Sequence, residues 1–126
     1  IIYMEQKTFE EVKKLIDDEV QKQDVRRYQL KPVRVTNDCF GFYVIAYPNG
    51  EIEAVANADL DAQYQYDSKT NTFVGRALHS FIEWKAGTFM CNDVVFEPGG
   101  MVCVDEAECV RAFARDKFER KFEKAD

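Results

Sequence analysis

The sequence predicts an α+β domain, an antiparallel sheet of about five to seven strands with an N-terminal and a C-terminal amphipathic helix packed on it. Three observations carry that expectation. Apolar residues recur at helical spacing near both ends of the chain, short β-prone runs fill the middle, and turn chemistry separates those runs. With 126 residues, 46% of them apolar and 13% aromatic, the chain reads as a single domain, 1–126, able to build a core without disulfides or metal.

The first helix is written in Thr8-Phe-Glu-Glu11, a capping box in which the Thr8 hydroxyl accepts from the Glu11 backbone and the Glu11 carboxylate reaches back to Thr8. Phe9, Val12, Leu15, Ile16 and Val20 follow at helical spacing, so the helix is expected over 9–23. Glu10 and Lys14, and Asp18 and Lys22, sit four apart on what reads as its solvated outer face. The polar, partly basic stretch 24–31 reads as a connector. Pro32 biases Lys31 away from helical dihedrals, and a short strand is expected from Val33 to Thr36.

The stretch Cys39–Asn57 places two β-prone runs around Asn49-Gly50, the pair best suited to a type I′ turn. That turn sets an expected register in which Tyr47 faces Ile52, Ile45 faces Ala54 and Val44 faces Val55. Tyr43, Ile45, Tyr47, Ile52, Ala54 and Ala56 then share one face, with Phe42, Val44 and Val55 on the other. Apolar residues on both faces predict a hairpin central in the sheet, covered on both sides. A helical turn capped by Asn57, a strand over 63–67, a turn at Ser68–Asn71 and a further strand over 72–75 come next.

The run Arg76–Lys85 permits helix or strand; Gly75 and Gly87 bracket a strand-like length, and strand is favoured. Short β runs are expected on either side of Asn92-Asp93. Glu97-Pro-Gly-Gly100 is a turn, after which 101–104 is expected to pair back on the preceding strand. Asp105 then reads as the N-cap of the second helix, with Val110, Phe113, Ala114, Phe118 and Phe122 as its apolar stripe.

Charge is the strongest anomaly. Between Val35 and Ser68 there is no Lys or Arg, yet Asp38, Glu51, Glu53, Asp59, Asp61 and Asp67 fall there, and these match the whole net charge of −6. The plain reading is a solubility surface; the functional one is a one-sided negative potential that captures a basic protein surface, including the nucleic-acid-binding groove of another protein. Direct nucleic-acid binding and anionic membranes are disfavoured by the same charge. No apolar stretch approaches the roughly 20 residues of a membrane span, no signal-peptide pattern opens the chain, and a cytoplasmic location is expected. Met4 follows Ile-Ile-Tyr, which leaves open a native start at Met4.

Other chemistry is thinner. Cys39, Cys91, Cys103 and Cys109 read as reduced thiols, and their spacing lacks the close pairs of structural zinc sites. A nucleophilic Cys–His pair would need His79, the sole histidine, beside one of these thiols, with a third orienting group such as Asp93. Glu51/Glu53, about 7 Å apart by strand rise, and Asp59/Asp61 lack the Gly-rich loop of phosphoryl chemistry. No catalytic residue, metal or cofactor is therefore assigned. The aromatics, with Tyr43, His79 and Trp84 foremost, leave one alternative: a ligand-binding or lyase-like domain with an aromatic cavity near His79.

Arg27-Tyr-Gln-Leu-Lys-Pro-Val-Arg-Val35, the Pro98-Gly-Gly turn and Asp116-Lys-Phe-Glu-Arg-Lys-Phe-Glu123 resemble segments of small phage and prophage proteins: a Lys-Pro-Val strand, a Pro-Gly turn and a Phe-Glu-x-x-Tyr-Glu tail. The likeness covers about a quarter of the chain, and a helix precedes the strand here. It implies no catalytic residue, but it implies a phage-encoded protein that occupies a host protein's surface. Together with the acidic stretch, it points to a non-enzymatic binding or inhibitor protein acting through Asp38, Glu51, Glu53, Asp59, Asp61 and Asp67.

Overall fold

The computed structural model describes residues 3–105 and 110–125. It is a mixed α+β structure whose strands are distributed over several sheets, not over one sheet flanked by two helices. The chain forms two compact units, each assembled from separate stretches. The first takes the residues up to Tyr28 together with His79–Glu119; the second takes Gln29–Leu78 and Arg120–Ala125.

In the first unit, helix α1 (Phe9–Lys22) starts at the capping box: the Thr8 Oγ1 accepts from the Glu11 backbone at 3.2 Å, and the Thr8 N–H donates to the Glu11 carboxylate at 3.1 Å. The backbone bond from Thr8, ahead of that from its hydroxyl, lowers the Glu11 pKa. Strands β7 (Leu78–Glu83), β10 (Met101–Cys103) and β11 (Arg111–Phe113) follow one another in the order β11-β10-β7, with β1 (Arg26–Leu30) beside β7. The residues 24–31, read as a connector, thus supply a strand; the alternation Tyr28, Leu30 was masked by the charges around it.

Register divides this sheet into two faces. Val102 lies opposite both Ile82 and Ala112, and these join Val12, Trp84, Phe89, Cys91 and Phe96 in a core against which Leu15, Ile16 and Val20 of α1 pack. Burial of each large side chain there is worth roughly 1.5–3 kcal/mol. The opposite face carries His79, Phe81, Glu83, Met101 and Cys103, with Phe118 packed edge-on against Phe81 at 4.8 Å. A separate hairpin, β8 (Phe89–Cys91) and β9 (Val94–Phe96), turns through Asn92 and Asp93 at φ 48° and 65°. Positive φ at both central residues is the type I′ geometry.

The C-terminal segment departs from expectation. Asp105 accepts from the Ser80 N–H, and 106–109, the first turn expected after its N-cap, lies outside the described residues. Strand β11, a seven-residue helix α3 (Arg115–Lys121) and strand β12 (Phe122–Lys124) replace the long helix, because the backbone of 111–113 is taken by pairing with β10. Strand β10 in turn pairs with β7 and β11 and not with the strand that precedes it in sequence.

The second unit contains the three-stranded sheet β2 (Arg34–Cys39), β3 (Phe42–Ala46), β4 (Ile52–Ala56), followed by α2 (Asn57–Gln63) and the hairpin β5 (Tyr64–Asp67), β6 (Thr72–Gly75). Strand β12 lies beside the end of β1 there, where the Lys31 N–H donates to Lys121 O at 2.8 Å. Leu30, Val33, Ile45, Tyr47, Leu60, Tyr64 and Phe122 are its buried side chains. Asn57 opens α2 but does not cap it; its Oδ1 is buried without a hydrogen-bond partner.

The β3–β4 register is one residue off the expected one: Ala46 faces Ile52 and Ile45 faces Glu53. The reason is Pro48. Its ring sets φ near −65°, which suits the second position of a type I turn, and it lacks the N–H that a I′ turn centred on Asn49-Gly50 would require residue 48 to donate to Glu51. Gly50 at φ 90° follows, its N–H donating to Tyr47 O, and Tyr47 pairs with Glu51 across a three-residue loop. A slip of one residue moves every β4 side chain to the other face. Glu51, Glu53 and Val55 join Tyr43, Ile45 and Tyr47, while Ile52 turns outward at 67% exposure. The hairpin is therefore covered on one face only.

A Cβ at Gly100 would stand 2.9 Å from the Phe113 backbone oxygen, and its own φ is not in the left-handed region, so the obstacle is steric. Gly100→Ala is expected to destabilise the protein by about 1–3 kcal/mol, read as a lower urea midpoint; an unchanged midpoint would show that the β10–β11 pairing yields without cost.

Candidate functional site

Of the six carboxylates singled out by sequence, Glu51 and Glu53 meet cations of their own unit. Arg120 Nη1 lies 2.9 Å from Glu51 Oε2, with Nη2 3.9 Å from Glu53, and Lys121 Nζ lies 3.8 Å from Glu53. The guanidinium also stands 5.3 Å over the Tyr47 ring, whose hydroxyl donates to Glu53. Exposed pairs of this kind are worth at most about 1 kcal/mol each, but the buried Tyr47 makes the cluster a fixed assembly. Sequence reasoning missed Arg120 because it lies 69 residues from Glu51; the available signal was the turn, since Pro48 dictates which face the two glutamates take.

The other four lie elsewhere. Asp67 is spent on its own turn, accepting from the Lys69 N–H at 3.0 Å and the Thr70 hydroxyl at 3.1 Å. Asp38 is exposed on β2, opposite Tyr43, and Asp59 and Asp61 are exposed on α2. Strand β4 puts roughly 13 Å of rise between the Glu51 end of the hairpin and the α2 end. Of the six, Glu51 and Glu53 are thus engaged by Arg120 and Lys121 and Asp67 by its own turn.

At the α2 end is a feature the sequence did not announce. Phe40 occupies the two-residue turn between β2 and β3, beside Gly41 at φ 86°, and is fully exposed (104%). The Asn57 N–H donates to Gly41 O at 3.3 Å, which ties this tip to the first turn of α2 and so to Asp59. Phe42, 40% exposed, and Ile52 continue the apolar character onto the outer face of the sheet.

The alternative aromatic cavity finds a different arrangement. Trp84 is fully buried, packed edge-on against Phe89 and Phe96, and its indole N–H donates to Gly87 O at 2.9 Å. Tyr43 belongs to the second unit, whereas His79 and Trp84 belong to the first. On the far side of the sheet from Trp84's core cluster is an open groove of about 370 Å³ bordered by Arg26, Tyr28, Glu83 and Arg115, whose Nη2 lies 2.6 Å from Glu83.

His79 has other neighbours. One of its ring nitrogens, Cys103 Sγ and an Asp105 carboxylate oxygen lie within 4.8 Å of one another. Cys103 donates to Asp105 Oδ1 at 2.9 Å. Neither Asp93, weighed as an orienting group, nor Cys91, which is buried in the core cluster, takes part; Cys109 lies outside the described residues. The signal was period-two spacing, Cys103-Val-Asp105, hidden when Asp105 was read as a helix cap.

Compared with protein-family models, curated proteins and solved structures, the chain matches none.

Burial, then the Glu53 charge, pushes the Tyr64 hydroxyl from 10.0 up to about 12, and burial followed by the hydrogen bond to Glu53 raises Tyr47 as well. The folded chain keeps these protons where the unfolded chain has released them. The Tyr64 contribution is complete below about pH 10 and is lost as pH rises through about 12. The urea midpoint is expected to fall across that window, and Tyr64→Phe to flatten the fall; an equally steep decline in the variant would contradict the assignment.

Proposed function

We propose that this chain is a non-enzymatic binding protein that occupies a basic site on a partner protein, with Phe40 as its apolar anchor and Asp38, Asp59 and Asp61 as the surrounding charges. One observation carries the reading: a phenylalanine held fully in solvent at a turn within a stretch free of Lys and Arg. A phenylalanine left in solvent keeps the roughly 1.5–3 kcal/mol of burial energy available for a partner's recess. Seated in a recess, it supplies affinity, while exposed carboxylates around it raise the encounter rate and select cationic partners.

Glu51 and Glu53 take no part in this contact, since Arg120 and Lys121 already engage them. The partner class favoured is a nucleic-acid-binding protein, because a cationic groove evolved for phosphates presents the complementary field. The resemblance to phage proteins supports a host protein as that partner and inhibition as the outcome, since a groove filled by carboxylates is closed to phosphates.

Affinity capture from a cognate lysate at low and high salt tests this. Capture is expected to weaken with salt, to be lost with Phe40→Ser, and to fall with the double variant Asp59→Lys, Asp61→Lys. Retention of the same partner by Phe40→Ser at every salt concentration would refute the reading.

A further inference from the structure

We infer that His79, Cys103 and Asp105 form a binding site for a divalent transition-metal ion of the zinc class. The three side chains come together by ladder register and not by chance of a loop. Cys103 faces Phe81 across β7 and β10, and the Val104 N–H donates to Ser80 O at 2.8 Å, which extends the same register until Asp105 stands opposite His79. Residues two apart on a strand share a face, so Cys103, Asp105 and His79 all lie on the side of the sheet away from Trp84 and Val102.

The donor set is chemically mixed in the way such ions require. One thiol, one imidazole and one carboxylate supply S, N and O ligands, and a thiolate favours zinc over the hard cations. Zinc bond lengths of about 2.0–2.3 Å put tetrahedral ligand atoms about 3.3–3.6 Å apart. The three donor atoms lie within 4.8 Å of one another, and Cys103 Sγ and Asp105 Oδ1 are 2.9 Å apart, so shifts of an ångström or so close the site around an ion.

A second observation concerns the carboxylate. The Ser80 N–H donates to Asp105 Oδ2 at 2.8 Å, which turns Oδ1 toward the thiol. An outer hydrogen bond that orients a ligating oxygen is a regular accompaniment of metal sites. Burial is graded across the cluster: Cys103 is buried, His79 half-buried and Asp105 exposed, so an ion would enter from the Asp105 side. On binding, the S–H bond breaks, its proton goes to solvent, and sulfur–metal and oxygen–metal bonds replace the S–H···O contact. Three ligands leave a fourth position for water.

The test is titration of the reduced, chelator-treated full chain with Co²⁺ and then Zn²⁺. One equivalent of cobalt is expected to give a near-ultraviolet thiolate-to-cobalt charge-transfer band with tetrahedral visible bands, and zinc to displace it. Cys103→Ser should abolish the charge-transfer band, and Cys39→Ser should leave it intact. Because Cys103 is buried, the half-buried and exposed ligands provide variants that spare the core. His79→Gln and Asp105→Asn should each raise the apparent Kd for zinc by about tenfold or more, at least what loss of an outer partner costs, with unchanged circular dichroism. Absence of a saturable cobalt band, its persistence in Cys103→Ser, or zinc affinity unmoved by both His79→Gln and Asp105→Asn would overturn the assignment.

Discussion

One covalent constraint, the pyrrolidine ring of Pro48, governs the second unit. It admits a type I turn at Tyr47–Gly50 and so sets the β3–β4 register. From that register follow the placement of Glu51 and Glu53 on the Tyr47 face, their capture by Arg120, the donor bond from Tyr47 and the outward placement of Ile52. Had the turn been of the I′ type, Ile52 would have joined Ile45 and Tyr47, and Arg120 would have faced alanines. The cationic residues of the C-terminal segment and the acidic hairpin are thus matched through a dihedral angle some seventy positions upstream.

In the first unit the corresponding constraint is the β7–β10 ladder. A single register assigns Ile82 and Val102 to a dry core and Phe81, Cys103, His79 and Asp105 to the opposite face. A sheet with helix α1 on one side can keep polar and metal-ligating side chains on its other side without burying any of them unpaired.

Local signals were legible and long-range ones were not. The Thr8–Glu11 box and the stripe from Phe9 to Val20 specify α1 because every interaction involved lies within four residues. The Asn92-Asp93 pair marks its hairpin for the same reason. By contrast, the stripe of Val110, Phe113 and Phe118 satisfies helical spacing, yet pairing of 111–113 with β10 outweighs it, since an edge strand left bare by β10 offers backbone partners that propensity cannot register. The same gap hid β1, whose strand character comes from β7 beside it. The acidic stretch was visible as composition, but which carboxylates remain free depended on Arg120, a partner no local window contains. Phe40 passed unnoticed because exposure is a property of the turn geometry at Gly41 and not of residue type.

The interleaving of the two units also bears on how the chain acquires its structure during synthesis. Each unit closes on itself only through a segment made late: the first needs His79–Glu119 to complete what begins before Tyr28, and the second needs Arg120–Ala125. A ribosome delivering the chain from its N-terminus therefore releases no finished unit early. The first unit therefore waits for the stretch that ends at Glu119 and the second for the one that ends at Ala125, while strands adjoining in sequence, as in β2-β3-β4 and β5-β6, can pair as they emerge.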